Sequence, residues 1–323
     1  MEKILNITAA SKTDVGLVRE ENEDALLFCQ PSDPRVFEER GILAVVADGV
    51  GGNSAGEVAS RTAVETIQDT YFQGFDHEPI AAALERAVKE ANRRIIDLSE
   101  KNALYKGMAT TCTALVVRQS DLVIAHVGDS RAYCLRNGEL RRLTEDHTLV
   151  NELLKKGLVS EEEAKDHPQS NVIVRALGSQ GDIDVDVIEF VAEGEDCYLL
   201  CSDGLSNLVA DEEIAQILSS STPFVSCETM VELARQRGGY DNITVQVIKV
   251  STNDSRRVRE TRPITGEFPH RTMSWPKSLL FLLAVVGITV SAIGISIYFL
   301  GVSSDLLALF REFISRPLKR FFF

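Results

Sequence analysis

Several features that mark common protein classes are missing from this chain of 323 residues. Its six cysteines form no C-x-x-C pair and no zinc-site spacing, so we expect reduced thiols that pack as small apolar groups. Residues 1–251 contain 43 Asp and Glu but 24 Lys and Arg, a net charge of −19, with no clustered basic surface. We therefore expect no nucleic-acid partner, because phosphate backbones bind to clustered positive charge.

The motifs of several enzyme classes are also absent. The glycine-rich run at residues 49–54 has neither the third glycine of G-x-G-x-x-G nor the lysine of a P-loop. The sequence contains no G-x-S-x-G, no H-E-x-x-H and no EF-hand pattern. These absences disfavour a dinucleotide-binding protein, a serine hydrolase of the elbow type, a zinc protease and an EF-hand protein.

One long uncharged segment departs from the pattern of a globular chain. Residues 278–302 carry no charge and as a helix would span about 37 Å, more than a hydrocarbon core of about 30 Å. They predict a transmembrane helix; a buried core helix is the alternative. The N-terminal residues lack the long apolar run of a secretory signal. We therefore expect a single-pass membrane protein with its large N-terminal part in the cytoplasm.

Two short segments flank this predicted span. Residues 252–277 contain three prolines, many charges and no periodicity, which indicates a flexible basic linker in contact with anionic lipid or with solvent. Residues 303–323 place apolar side chains at helical spacing and end in basic residues, as in a short amphipathic tail. The chain is thus divided into a body at 1–251, the linker, the span and the tail.

The body mixes helical and strand patterns. Apolar residues recur at helical spacing over residues 78–100, and a second helix is expected through Val58 and Ile67, capped by Asn53 or Ser54. The short β-rich runs lie too close together for crossover helices, so most strands should pair antiparallel. These runs are Ile42–Ala47, Thr110–Val117, Leu122–Val127, Ala132–Leu135, Val185–Phe190, Tyr198–Cys201 and Ile243–Val250.

A repeated pattern indicates where the chemistry lies: an aspartate beside a Gly or Asn adjoins an apolar run. It occurs at Asp48, Asp129, Asp203 and Asp241. Taken singly, each is an ordinary turn signal. Four carboxylates that converge repel one another, and a hard divalent cation such as Mg²⁺ or Mn²⁺ is the usual remedy.

Seven short motifs follow one another over residues 8–250. They are Arg19 with Asn22-Glu23-Asp24, Val46-Ala47-Asp48-Gly49-Val50-Gly51-Gly52, Gly107-Met108-Ala109-Thr110-Thr111, Val127-Gly128-Asp129-Ser130-Arg131, Arg175-Ala176-Leu177-Gly178, Cys201-Ser202-Asp203-Gly204-Leu205 and Gly239-Tyr240-Asp241-Asn242-Ile243-Thr244. In kind and order they resemble the metal-dependent Ser/Thr protein phosphatases of the PPM type (type 2C), closest to bacterial members. The resemblance covers the body almost completely.

The resemblance implies an α+β fold, a β-sandwich of two antiparallel sheets flanked by helices, with two Mn²⁺ or Mg²⁺ ions at one edge. By this analogy Asp48 bridges both ions, and the carbonyl of Gly49 binds the first. Asp203 and Asp241 hold the second ion.

The analogy assigns four further residues. Glu23 and Asp24 resemble the outer acids that orient metal-bound water. Asp129, together with Asp203, matches the position of a weaker third ion in many bacterial members. Arg19 matches the arginine that grips the substrate phosphate, a bidentate contact that lysine does not reproduce.

The function implied is hydrolysis of phosphoserine and phosphothreonine on cytoplasmic proteins by metal-activated water, with Arg19, Asp48, Asp203 and Asp241 as catalytic residues. The membrane span predicts an anchored enzyme that opposes a Ser/Thr kinase at the same bilayer. Two alternatives stay open. One is a weakly active phosphoprotein-binding or signalling module of the same fold, and the other is a phosphatase that acts on small metabolites.

The sequence departs from eukaryotic relatives at one position. Where they carry a histidine after the Asp-Gly pair, proposed as the general acid, this chain has Val50. Asp146 and His147 are then candidates for protonating the leaving group. They open the segment 146–171, which resembles the flap beside the metal site; a solvated pair of surface helices is the alternative.

Overall fold

The computed structural model describes residues 5–51, 55–73, 78–165 and 167–252. By internal contacts the chain divides into two units, residues 1–257 and 258–323, and every described residue belongs to the first. The strands of the described part are β1 (Leu5–Asp14), β2 (Asp24–Cys29), β3 (Ile42–Val50), β4 (Ala109–Thr110), β5 (Cys112–Arg118), β6 (Asp121–Val127), β7 (Arg131–Arg136), β8 (Glu139–Arg142), β9 (Asp186–Val191), β10 (Cys197–Cys201) and β11 (Ile243–Thr252). Its α-helices are α1 (Pro34–Arg40), α2 (Ala55–Phe72), α3 (Ile80–Lys101), α4 (Leu149–Lys155), α5 (Glu161–Lys165), α6 (Asp203–Ser206), α7 (Asp211–Ser220) and α8 (Pro223–Gln236).

The strands form two antiparallel sheets. The first sheet has the order β1-β11-β10-β7-β8, and the second has the order β2-β3-β5-β6-β9, with β4 paired to one end of β3. Strand β10 is buried along its whole length because it is covered on both faces, which explains its continuous apolar run.

Strand β10 also shows how the layers are packed. Tyr198 and Leu200 point between the two sheets, whereas Leu199 points to the opposite face, where α7 and α8 pack. The outer face of the second sheet is covered in the same way by α2 and α3. The result is a helix–sheet–sheet–helix stack, with each buried Leu or Ile stabilising it by about 1.5–3 kcal/mol.

The two sheets bring several strand ends to one end of the sandwich. In the β2–β3 pair, Asp24 lies opposite Asp48. In the first sheet β10 ends just before Asp203, beside the beginning of β11, which follows Asp241. The antiparallel order therefore gathers carboxylates that are far apart in the sequence.

The predicted two-sheet antiparallel sandwich is confirmed. Each of the seven predicted strands is present, and the helix expected over 78–100 is α3. The expected helix through Val58 and Ile67 is α2, but its proposed caps, Asn53 and Ser54, lie outside the described residues.

Four strands, β1, β2, β4 and β8, and two packing helices were not predicted as separate elements. Strands β1 and β8 lie at the edges of the first sheet, where mixed polar sequences such as Glu139–Arg142 are common because one side of the strand is open. Helices α7 and α8 begin at turns, α7 after Ala210 and α8 after the Thr222 cap, which is followed by a proline. Only the tertiary structure shows that these two helices pack on the first sheet.

The predicted span at 278–302, the linker at 252–277 and the tail at 303–323 lie outside the described residues, apart from Thr252 at the end of β11. Among the helices that are described, none combines the length and the apolar character needed to cross a bilayer.

The cysteines behave as predicted. All six are free thiols; five lie in strands and Cys227 lies in α8. Burial raises the pKa of the Cys112 and Cys201 thiols to about 12, so both are protonated and unreactive at neutral pH.

Candidate active site

Carboxylates from both sheets meet at one end of the sandwich. Ser202, which follows β10 in the first sheet, donates its hydroxyl hydrogen to Asp24 Oδ2 of the second sheet at 2.8 Å, although the two residues are 178 positions apart. The carboxyl groups of Asp48 and Asp203 lie close enough to influence each other's protonation, and burial, together with the negative charges of Asp24, Asp129 and Asp241, also raises the pKa of Asp48. Carboxylates gathered in this way compete for one positive charge.

Asp129 joins this group from the turn after β6. Its neighbour Gly128 has φ +110°, and a Cβ there would lie 2.6 Å from the Thr111 side chain. Only glycine fits this close approach. Asp129 is 7% exposed and, with Asp203, lines a cavity of about 430 Å³. Most of its other walls come from the segment 146–171, and the remainder come from Arg131, Arg142, Ser206 and Asn207.

The electrostatics of this cluster favour a bound cation. Burial, together with the neighbouring carboxylates, raises the pKa of Asp24 and of Asp129 to about 7. Burial and the charges of Asp24 and Asp203 likewise raise the pKa of Asp48 well above its usual range. Without a cation, these acids are disfavoured in their charged form.

Among the buried side-chain oxygens that have no hydrogen-bond partner within the described residues, two belong to this cluster, Asp24 Oδ1 and Asp129 Oδ1. Buried polar atoms are nearly always hydrogen-bonded, so each orphan calls for a ligand. The atoms that could bind a metal here are all oxygens, which are the ligands preferred by Mg²⁺ and Mn²⁺. The residues therefore fit these ions. In the part of the chain that is described, no group of three or more His, Cys, Asp or Glu side chains is arranged so that it could hold a metal ion as it stands.

The backbone around Asp48 is held in place from both sides. Thr110 Oγ1 donates to the Asp48 carbonyl at 2.8 Å, and the Asp48 amide donates to Thr111 Oγ1 at 2.9 Å. The Gly49 amide donates to the Glu23 carbonyl at 3.1 Å. A Cβ on Gly49 would lie 2.3 Å from the Gly56 carbonyl oxygen, so a larger residue would push α2 away from the site.

Glu23 is tied to the opposite loop through Asn242. The Asn242 side chain accepts the Glu23 amide hydrogen at 2.8 Å and donates to the carbonyls of Val15 and Glu21, both at 3.0 Å. One amide group therefore fixes the loop after β1 against the beginning of β11. Its orientation follows from these three bonds, because only the NH₂ group can donate to carbonyls.

Arg19 lies on that loop and reaches the cluster. Its Nη2 donates to Asp241 Oδ2 at 2.9 Å, and its side chain is about half exposed. A guanidinium in this position is available to an incoming anion while its other end is held by the protein. Arg19 thus supplies positive charge beside an otherwise acidic site.

The segment 146–171 is anchored at its base. Arg131 makes a two-pronged ion pair with Asp146, in which Nε and Nη2 donate at 3.0 and 2.7 Å. From this base the segment forms helices α4 and α5 over the cavity. This segment, expected either as a flap beside the metal site or as a pair of surface helices, thus contains two helices that lie beside the carboxylate cluster.

His147 joins this base to the turn that carries Asp129. Its ring Nδ1 accepts the Gly128 amide hydrogen at 3.0 Å, while its own amide donates to the Gly128 carbonyl at 2.7 Å. Burial and the nearby Arg175 lower its pKa, so the neutral ring carries its hydrogen on Nε2 and donates it to Asp186 at 3.2 Å. Both ring nitrogens are thus engaged inside the protein.

The two candidates for protonating a leaving group are therefore not free to do so. Asp146 is ion-paired with Arg131, and His147 is 5% exposed with its ring hydrogen on Asp186. Val50 is exposed and carries no titratable group.

Most predicted site residues come together in the structure. Asp24, Asp48, Asp203 and Asp241 face one another, Asp129 borders the same cavity as Asp203, and Glu23 and Arg19 lie on the adjacent loop. The sequence did not indicate the roles of Thr111, Ser202 and Asn242, although all three belong to quoted motifs. For Ser202 and Asn242 the position directly beside a motif aspartate was the one available signal, whereas Thr111 has no aspartate next to it in the sequence.

Known proteins provide an independent comparison. Residues 19–239 match the profile of the family described as Protein phosphatase 2C. The chain is similar to the serine/threonine phosphatase stp of Listeria monocytogenes serotype 4b, with 40% identity over 247 residues, which cover 75% of this chain and 95% of that protein.

Two solved structures extend the similarity to the fold. The serine/threonine phosphatase PstP/Ppp of Mycobacterium tuberculosis superposes with a TM-score of 0.68 at 36% identity, over 76% of this chain and 99% of that one. The PstP catalytic domain in complex with two manganese ions gives a TM-score of 0.66 at 36% identity, over 77% and 100%. These matches confirm the predicted enzyme class and the predicted Mn²⁺ or Mg²⁺ cofactor. With a family match over residues 19–239 and a relative this similar, the chain belongs to the protein phosphatase 2C family of metal-dependent serine/threonine phosphatases.

Proposed function

We propose that this protein is a membrane-anchored phosphatase that removes phosphate from phosphoserine and phosphothreonine of cytoplasmic proteins. The observation that carries the catalytic part is the gathering of buried aspartates at one end of the sandwich, with orphaned oxygens on Asp24 and Asp129 and an arginine beside them. Such an arrangement destabilises the free protein and is explained by bound cations.

Two ions are assigned to the central residues. Asp48 and the Gly49 carbonyl would hold one ion, and Asp203 and Asp241 would hold the other. This assignment is supported by the interaction among these carboxyl groups, since burial together with the charges of Asp203 and Asp241 raises the pKa of Asp48.

The remaining acids support this centre. Asp24 lies opposite Asp48 on the neighbouring strand, and Glu23 is held by Asn242, so both are placed to accept hydrogen bonds from water at the ions. Asp129 with Asp203 is the position for a third, weaker ion, at the edge of the cavity under α4 and α5.

When bound, Mn²⁺ or Mg²⁺ lowers the pKa of coordinated water and neutralises phosphoryl oxygens. Arg19 contributes by binding the dianionic phosphate through its planar pair of N–H groups. Its present partner, Asp241, keeps the guanidinium pointed at the cluster before substrate arrives. Thr110 and Thr111 then serve to hold the Asp48 backbone, and Ser202 serves to hold the Asp24 carboxylate, rather than to react.

Phosphate release from a phosphothreonine peptide by the full chain in detergent tests this function. We expect turnover that rises with added Mn²⁺, is abolished by chelator and returns on re-addition of the metal. Comparison with sugar phosphates separates a protein phosphatase from a metabolite phosphatase. A folded protein without turnover at any Mn²⁺ concentration would contradict the proposal and favour a binding module.

The proposed anchor is residues 278–302, reached through the basic linker, with the body on the cytoplasmic side of the membrane. It is supported by the uncharged length of this segment and by its flanking Trp275 and Lys277. An anchored enzyme acts preferentially on phosphoproteins near the bilayer, including those modified by a Ser/Thr kinase at the same membrane.

Membrane fractionation tests the anchor directly. We expect the full chain to stay in the membrane pellet after an alkaline carbonate wash and a chain ending at Lys277 to be released. Protease added to intact cells should leave the body uncut. Release of the full chain by the wash would contradict the span, and digestion of the body from outside would contradict its orientation.

A further inference from the structure

Three large apolar side chains lie exposed beside Arg19. Leu17, Val18 and Tyr240 are 59%, 66% and 47% exposed. We refer to these three residues as the apolar rim. Single exposed apolar residues are common on protein surfaces, whereas a group of them beside a binding site marks a contact surface.

The rim is held rigidly. The Leu17 amide donates to the Gly239 carbonyl at 2.6 Å, and a Cβ on Gly239 would lie 3.2 Å from Leu17 Cγ. Gly16 has φ +81° and approaches the Asp241 carbonyl so closely that a Cβ would be 2.3 Å from its oxygen. The exposed side chains therefore sit on a fixed backbone, and binding to them costs little ordering of the protein.

The rim borders the point where phosphate is proposed to bind. Val18 directly precedes Arg19, and Tyr240 directly precedes Asp241, the partner of Arg19. Residues of an extended peptide are spaced by about 3.3 Å, so the neighbours of a phosphoresidue held at Arg19 lie within reach of the rim.

The charges around the rim disfavour acidic neighbours. Glu20 and Glu21 follow Arg19 and are both exposed, and the body carries a net charge of −19. A carboxylate next to the phosphoresidue would meet these acids, whereas an apolar side chain would cover Leu17 and Val18. We infer that the apolar rim selects phosphoproteins with an apolar residue directly beside the phosphoserine or phosphothreonine.

This inference rests on the proposed phosphatase function and adds the substrate class. Its test uses full-length protein in detergent with saturating Mn²⁺ and three phosphothreonine peptides that differ in the two residues flanking the phosphothreonine: Leu, Ser or Glu. The wild-type kcat/KM is expected to be about tenfold higher for the Leu peptide than for the Ser peptide, the size of effect that one apolar contact produces. The Glu peptide is expected to be the poorest.

The double variant Leu17→Ser/Val18→Ser is expected to reduce the Leu-to-Ser ratio to about twofold or less, and Tyr240→Ser to reduce it partially. The matched control is Phe224→Ser. Phe224 is 66% exposed, like Val18, but lies near the start of α8, about 18 Å along that helix from the end that leads to Gly239. This control should keep the full ratio.

The possible outcomes test the substrate preference and the phosphatase function separately. Equal kcat/KM for the three peptides, or a ratio that survives in the double variant with its circular dichroism unchanged, would overturn the inference. Loss of self-association in the double variant without a change in selectivity would instead assign the rim to an interface between copies. Failure of the wild type to hydrolyse even p-nitrophenyl phosphate would overturn the proposed function as well.

Discussion

Strand β10 separates two acidic regions with opposite chemistry. Asp196 precedes the strand, is 1% exposed and has each oxygen satisfied: Arg136, the Tyr198 hydroxyl and the Glu193 amide all donate to it at 2.6–2.9 Å. Burial alone would raise its pKa, but these donors hold the pKa below its usual value. Asp203 follows the strand among other carboxylates, and its pKa is raised by burial and by Asp241.

The difference teaches how to distinguish a structural acid from a functional one. At Asp196 the fold supplies its own donors, so the charge is neutralised within the protein. At the other end the fold gathers acids and leaves Asp24 Oδ1 and Asp129 Oδ1 without donors. At this end of the strand the positive charge must therefore be supplied by a bound cation.

The largest expected effect is from Asp48→Asn. We expect kcat/KM with saturating Mn²⁺ to fall by at least about a hundredfold, because even residues behind metal ligands contribute 10- to 100-fold. Steady-state hydrolysis of p-nitrophenyl phosphate measures this change, with near-UV circular dichroism to check the fold. Asp121→Asn is the control, since Asp121 is half exposed at the far end of β6 from Asp129. Equal activity of the two variants would show that Asp48 is not a metal ligand.

Asp196→Asn should lower the stability of the protein and leave its activity nearly unchanged. We expect the free energy of unfolding to fall by about 2 kcal/mol, because Arg136 and the Tyr198 hydroxyl lose a charged acceptor, while kcat/KM changes less than about threefold. Urea unfolding measures the stability. The control is Glu193→Gln, which removes an exposed partner of the same arginine and should cost under about 1 kcal/mol. A large loss of activity would disprove the structural role of Asp196.

The contribution of Asp196 should also depend on pH with a defined sign. Because its folded-state pKa is lowered, its stabilisation is complete above the usual value of 3.8 and is lost as the pH falls through the lower folded-state value. The difference in unfolding free energy between wild type and Asp196→Asn should therefore be constant from pH 5 to 7 and shrink below about pH 4. A difference that grows on acidification would contradict this sign.

The smallest effect is expected for Asp129→Asn in chelator. Burial and Asp203 raise the pKa of Asp129 to about 7, so removal of its charge should stabilise the metal-free protein by about 1 kcal/mol, opposite in sign to Asp196→Asn. In Mn²⁺ the gain should vanish, because the carboxylate then has a cation. Thermal unfolding in both conditions measures this. Destabilisation in chelator would show that Asp129 already has adequate partners.

Local patterns were sufficient for much of the fold and the site. Strands such as β3 and β10 were predictable because burial on both faces makes them continuously apolar, and α3 because one face of a long helix packs on a sheet. The ends of these strands pointed to Asp48 and Asp203. Edge strand β8 was not predictable, since an open edge imposes no apolar pattern.

The hydrogen bonds that hold the site residues in place could not be predicted from the sequence. Asn242 holds Glu23 from a distance of 219 positions, and Ser202 donates to Asp24 across 178. No periodicity connects residues so far apart. Likewise, the sequence offered His147 as a proton donor, whereas the fold uses its ring to join Gly128 to Asp186.

The sequence by itself determined the family, the acidic character of the body and the identity of the aspartates at the strand ends, because these depend on residue type and local order. Only the tertiary structure decided which acids are neutralised and which are left for a cation. Asp196 and Asp203 are the same residue type at opposite ends of β10, and they differ because charge balance depends on donors that come from other strands and loops.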